Sequence, residues 1–281
     1  MRGGMGSGYV HGYDERERDR LADQAGTLVD LLHESTVHPP GCRVLEAGCG
    51  VGAQTVPLAS RSPGARLVSI ELSAGSLDEA RARVETSGLV NVELVQADVF
   101  DLPFGPGSFD HVFVCFVLEH LPRPVDALRA LKQVLRPGGT ITVIEGDHGS
   151  AYFHPDSPAA HEVIRCLVAL QEMAGGNALI GRQLYPLLLA AGFDTVAVAP
   201  RMVYVDSSRP DLVEGFTRRT FTAMVEGVRE EALGTGMVDP AAFDAGISAL
   251  SRTAADDGVF CYTFFKGTAR RGPEPAASSS A

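Results

Sequence analysis

The stretch Val44-Leu45-Glu46-Ala47-Gly48-Cys49-Gly50-Val51-Gly52 limits what this chain can fold into more than any other. An apolar run that ends in an acid and then meets three alternating glycines reads as a buried strand entering a tight turn. A helix start is expected at Ala53-Gln54-Thr55. Glycines there let the backbone bend and let a ligand approach closely, and the amides of a following helix start suit an electron-rich group. Gly48, Gly50 and Ala53 also fit a G-x-G-x-x-G/A dinucleotide pattern. Glu46 sits poorly beside a pyrophosphate and better beside a positively charged ligand.

The residues that follow extend this reading. Ala65–Glu71 reads as a second strand, and Glu71 lies about 20 residues beyond the glycines, where a carboxylate can accept from both hydroxyls of a ribose. Leu72 is placed to lie on an adenine face. Ser76 and Glu79 have the spacing of a capping box. A third strand, Val92–Ala97, leads to Asp98 and Val99, suited to an adenine amine and its ring. A fourth, Phe109–Phe116, runs into Leu118-Glu119-His120-Leu121. A helix from about Val125 to Leu135 stops at Arg136-Pro137-Gly138-Gly139, and Thr140–Glu145 reads as the fifth strand.

Together, Val44–Gly52, Glu71, Asp98, Phe109–His120 and Leu135–Gly139 resemble the motif set of the class I S-adenosylmethionine-dependent methyltransferases. The likeness covers roughly residues 42 to 148. A longer string, from Tyr9-Val10-His11-Gly12-Tyr13 to Glu145-Gly146-Asp147-His148-Gly149-Ser150, is similar to uncharacterised bacterial and archaeal methyltransferases and brings no substrate with it. The resemblance implies that Gly48, Cys49, Gly50 and Gly52 pass beneath the methionine part of S-adenosyl-L-methionine. It puts Glu46 near the amino group, Glu71 and Leu72 at the ribose and adenine, and Asp98 and Val99 at the adenine. Cys115 and His120 close the far side, and Tyr13 belongs to an N-terminal lid.

The fold expected is α/β, a three-layer Rossmann-like sandwich. Its seven-stranded, mostly parallel sheet has an antiparallel last strand and carries helical lid insertions. The segments are 1–41, an N-terminal helical cap with Leu21, Ala25, Leu28 and Leu32 on one stripe; 42–148, the cofactor-binding core; and 149–180, a helical insertion after a loop from Gly146 to Pro158. Then come 181–208, the core continued; 209–257, a helical lid over the acceptor; 258–268, the last strand, Val259–Phe265; and 269–281, a disordered tail.

Methyl transfer needs a base only for an acceptor that carries a high-pKa proton. His148 is the first choice, because imidazole titrates near neutral pH, with Asp147 and Glu145 beside it. The function expected is methylation of a small molecule in specialised metabolism. The alternatives are a protein side-chain methyltransferase and an NAD(P)-dependent oxidoreductase. The Tyr262-x-x-x-Lys266 pair has the spacing used by short-chain dehydrogenases, but here it falls on a strand, where four residues span about 13 Å. A net charge of −11 argues against nucleic acid. Five scattered cysteines suggest neither zinc nor disulfides, and no metal is indicated. With no signal peptide and no run long enough for a bilayer, the expected place is the cytoplasm, with no membrane partner and a homodimer open to it.

Overall fold

The structure is a computed structural model that describes residues 28–273. Tyr13, most of the N-terminal cap and the end of the tail lie outside the described residues. Residues 28–32 are helical, and Leu28 and Leu32 are buried in the core.

Seven strands form one sheet in the order β3-β2-β1-β4-β5-β7-β6. They are β1 (Arg43–Ala47), β2 (Arg66–Glu71), β3 (Val92–Gln96), β4 (Phe109–Cys115), β5 (Leu135–His154), β6 (Asp194–Val205) and β7 (Val259–Arg270). The first five pair in parallel, and β7 lies antiparallel between β5 and β6. This is the α/β, Rossmann-like arrangement expected. Because β1 to β5 run the same way, their carboxyl ends meet on one edge, where ligands of such sheets bind.

Helices α1 (Thr55–Arg61), α2 (Ala74–Thr86) and α3 (Pro124–Val134) connect these strands. Two apolar clusters form the interior. One includes Leu45, Val68, Val112 and Val143 with Leu128 and Leu131 of α3. The other includes Val44, Leu67 and Phe113 with Leu58 of α1 and the residues under the insertions. Alternate side chains of a strand point to opposite faces, so a strand covered on both faces is apolar throughout. In β1 every residue after Arg43 is buried, apolar except for Glu46.

Beyond β5 lie α4 (Pro158–Met173), the short turn Ile180–Gln183 and α5 (Leu184–Ala190). A helical rod α6 follows, made of Pro210–Leu212, the π-helical Val213–Thr222 and Ala223–Gly227, then α7 (Arg229–Gly234) and α8 (Pro240–Arg252). Helix α8 packs against α4, so the two insertions form one unit.

The strands depart from expectation in three places. β5 continues to His154, where a loop from Gly146 was expected; pairing with β7 resumes at Tyr152 after an irregularity from Asp147. β5 also takes in Arg136–Gly139, because Gly138 N–H donates to Arg271 O and Arg271 N–H to Gly139 O. β7 extends to Arg270 and pairs with Thr140, so Ala269 and Arg270 belong to the sheet and not to the tail. In each case a backbone ladder overrides local turn chemistry, and a ladder partner more than 100 residues away leaves no local trace.

Candidate active site

Gly48, Gly50 and Gly52 all adopt positive φ, at 73°, 52° and 79°. A side chain is strained there. At Gly48 space is also limiting, since an added Cβ would lie 2.6 Å from a Val117 methyl. At Gly50 an added Cβ would meet nothing, so the loop offers bare backbone to open space. The N–H groups of Gly48 and Cys49 both donate to Ile70 O at 2.9 Å, which ties the loop to the end of β2.

Glu71, the last residue of β2, accepts from Gly50 N–H at 3.0 Å through Oε2 and from Ser73 N–H at 2.9 Å through Oε1. It stands half-buried at the loop's rim, and Leu72 beside it is exposed. Asp98 follows β3 and accepts from Phe100 N–H at 2.9 Å, and Val99 is half-buried against the core. Cys49 and Cys115 are buried thiols whose pKa burial pushes up, so neither is a ready nucleophile.

Glu46 turns inward. Only 2% exposed, it accepts from Thr55 Oγ1 at 2.7 Å and Ser69 Oγ at 2.6 Å. Burial raises its pKa to about 7, against the pull of those two hydroxyls. It therefore joins β1, β2 and the start of α1 beneath the loop. Glu46, expected near a ligand's amino group, is here a buried link beneath the glycine loop.

The three residues considered for proton transfer differ sharply. Asp147 is buried and paired to Arg182, with its oxygens 2.6 and 2.7 Å from Nε and Nη2. Glu145 is fully buried; its Oε1 accepts from Val117 N–H at 3.0 Å and Leu118 N–H at 2.8 Å, while Oε2 has no partner. Burial, then the neighbouring Glu119, push its pKa well up. Glu145 thus caps the short helical turn Leu118–His120, and Asp147 fastens β5 to the turn at Ile180–Gln183. Both carboxylates are thus held by partners of the fold. His148 is buried, with Nδ1 2.7 Å from the Tyr262 hydroxyl and Nε2 4.0 Å from Glu119 Oε2. His120 Nε2 lies 3.6 Å from Glu119 Oε1.

Sequence reasoning missed Glu119, Arg182, Gln171 and Tyr262 as members of this cluster. Gln171, on α4, donates to Glu119 Oε2 at 3.3 Å. Glu119 had one available signal, its place beside His120 at a strand end. Tyr262 had none, because its partner is 114 positions away. Among the described residues no group of three or more His, Cys, Asp or Glu side chains is placed to hold a metal, and no helix is long and apolar enough to cross a membrane.

Residues 45–143 match a family described as "Methyltransferase domain". Residues 45–143 thus carry a methyltransferase domain, consistent with a class I S-adenosylmethionine-dependent methyltransferase. It is 34% identical over 214 residues to an uncharacterized 37.1 kDa protein in transposon TN4556 of Streptomyces fradiae, covering 74% of this chain and 61% of that protein. It is 33% identical over 138 residues to methyltransferase GfsG of Streptomyces halstedii, covering 48% of this chain and 49% of that one. The chain thus spans about three fifths and one half of these relatives. Its fold resembles that of SpnF, a [4+2]-cyclase, with a TM-score of 0.56 at 23% identity over 88% of this chain and 80% of the other. That likeness speaks for the fold alone.

The site suits the family's cofactor in three respects: open space over Gly50, a carboxylate at the end of β2, and a second carboxylate after β3. Glu71 already accepts from the Gly50 N–H of that loop.

Proposed function

We propose that this methyltransferase passes a methyl group from S-adenosyl-L-methionine to a small-molecule acceptor in specialised metabolism. The carrying observation is the coupling of Glu71 to Gly50 N–H, which sets a ribose-binding acid at the rim of a side-chain-free loop. Gly48, Cys49, Gly50 and Gly52 lie under the methionine part, and Glu71 and Leu72 hold the sugar and cover the adenine edge. Asp98 and Val99 take the adenine, and Cys115 and His120 line the side beyond β4. The bound cofactor supplies an electrophilic sulfonium methyl. The chain's own residues fix the line of approach and keep water out, and His148 is the proton acceptor for an acceptor that carries one.

A small molecule is favoured over a protein side chain because α4 and α8 pack on each other and Gln171 of α4 reaches Glu119 on the turn after β4. The acidic surface, with a net charge of −11, disfavours nucleic acid as the acceptor. Calorimetric titration with S-adenosylhomocysteine and with NAD decides the cofactor: binding of the first supports the proposal, and binding of NAD alone reverses it. A cell extract incubated with methyl-labelled donor then decides the acceptor, since label in the protein fraction alone would replace a metabolite with a polypeptide. His148→Ala should slow turnover and spare cofactor affinity; equal rates would remove His148 from the chemistry.

A further inference from the structure

Tyr262 and Glu119 stand on either side of His148. The Tyr262 hydroxyl lies 2.7 Å from Nδ1, and Glu119 Oε2 lies 4.0 Å from Nε2. All three residues are buried. The Glu119 carboxylate facing Nε2 favours the ring proton there, which leaves Nδ1 to accept the phenol proton. The neutral ring then carries its own proton on Nε2, aimed at Glu119. Gln171, donating to the same carboxylate oxygen at 3.3 Å, keeps Glu119 turned toward the ring.

Two further features place this row at the reaction centre. Gly146 passes so close to the Tyr262 hydroxyl that a Cβ there would collide with it. Glu145, next in the chain, holds Val117 N–H, and Val117 is the side chain against which Gly48 packs. The row therefore lies one residue behind the glycine loop. Tyr262-x-x-x-Lys266 also finds its explanation: Lys266 Nζ donates to Thr36 Oγ1 at 2.6 Å and to Leu32 O at 3.3 Å, which leaves Tyr262 to His148.

We propose that Glu119, His148 and Tyr262 form a carboxylate–imidazole–hydroxyl relay that removes the acceptor's proton, with the Tyr262 oxygen as the atom that meets the acceptor. The inference rests on the methyl-transfer reading above. It follows the logic by which a base, oriented by a third group, activates a hydroxyl. As the acceptor's lone pair bonds to the methyl carbon, the carbon–sulfur electron pair stays on sulfur as a thioether. The acceptor's proton passes to the Tyr262 oxygen while the phenol proton passes to Nδ1. The resulting imidazolium faces the Glu119 carboxylate. Burial, with Glu119 and Asp147 nearby, raises the phenol pKa, so the two transfers run together and no tyrosinate is left standing. The charged and titratable groups around the row are Glu119 and, through it, His120 on the turn after β4, with Glu145 and Asp147 on β5, the latter paired to Arg182. Phe216 and Phe221 of α6 cover the phenol ring at 5.7 and 5.5 Å, so the 213–222 segment must shift to admit an acceptor.

The test joins spectra to rates on the full chain. Long-range proton–nitrogen spectra of histidine-labelled protein, with His148 assigned through His148→Gln, should show Nε2 protonated and Nδ1 accepting. Tyr262→Phe should abolish that preference, and Glu119→Gln should lower the pH at which the ring titrates. Tyr262→Phe should also cut turnover about 100-fold with the acceptor found in the labelled-donor screen, with affinity for S-adenosylhomocysteine unchanged. A wild-type ring protonated on Nδ1, or a Tyr262→Phe variant with wild-type turnover, overturns the relay. Failure of the wild type to bind S-adenosylhomocysteine would overturn the methyltransferase reading instead, and the spectra do not depend on it.

Discussion

Two glutamates of this chain show how position sorts one residue type into different work. Glu71 ends its strand half-buried and bonds to backbone N–H groups at a rim; Glu46, one residue before the end of its strand, lies inside and bonds to hydroxyls. Glu71→Ala should weaken S-adenosylhomocysteine binding by about 1–3 kcal/mol, the cost of losing hydrogen bonds to a charged group; unchanged calorimetric affinity in a folded variant would remove the assignment. Glu46 makes a prediction about pH. Its folded pKa, about 7, lies above its ordinary value of 4.5. The folded state therefore holds a proton that the unfolded chain releases, and stability from this group falls as pH rises through that window. Urea midpoints of the wild type should drop between pH 5 and 7.5 by more than those of Glu46→Gln.

Strand β5 brings His148 to Tyr262 because it does not stop where its turn residues suggest. Pairing with β7 takes it past Glu145 and breaks only between Asp147 and Tyr152, and that break turns His148 toward Tyr262. The break is held by Arg182, whose guanidinium covers the buried Asp147 carboxylate. Arg182→Ala should destabilise the fold by about 1–3 kcal/mol, because it leaves a buried carboxylate without its charged partner and with the Gly149 N–H as its remaining donor. Asp147→Asn made in the same chain should recover part of that loss, since the uncompensated charge goes with it. Additive losses in the urea midpoints of the single and double variants would mean that the two side chains stabilise the fold separately. The π-helical segment Val213–Thr222 belongs at this scale too. Such segments often sit at functional sites, and this one buries Phe216 and Phe221 over the relay.

As a whole, the molecule couples its stability to its ligand, because the loop, the end of β2 and the turn after β4 are drawn together from distant stretches of chain. S-adenosylhomocysteine at about 100 times its Kd should stabilise the folded state by about 2.7 kcal/mol and raise the melting temperature by about 5–10 °C. A flat melting curve across that titration would mean that the crevice does not bind the compound. The resemblance of its motifs carried the α/β sheet with its reversed last strand; the amino-acid sequence by itself determined the glycine loop, the acid that ends β2 and the acid after β3. Those signals are local: strand periodicity, glycines at fixed offsets and an acid at each strand end lie within a few residues of one another. The inward turn of Glu46, the capture of Asp147 by Arg182 and the row Glu119–His148–Tyr262 were decided only by the tertiary structure. Each is a bond between side chains far apart along the chain, and its geometry exists only once a ladder or a packed helix has set where the partner falls.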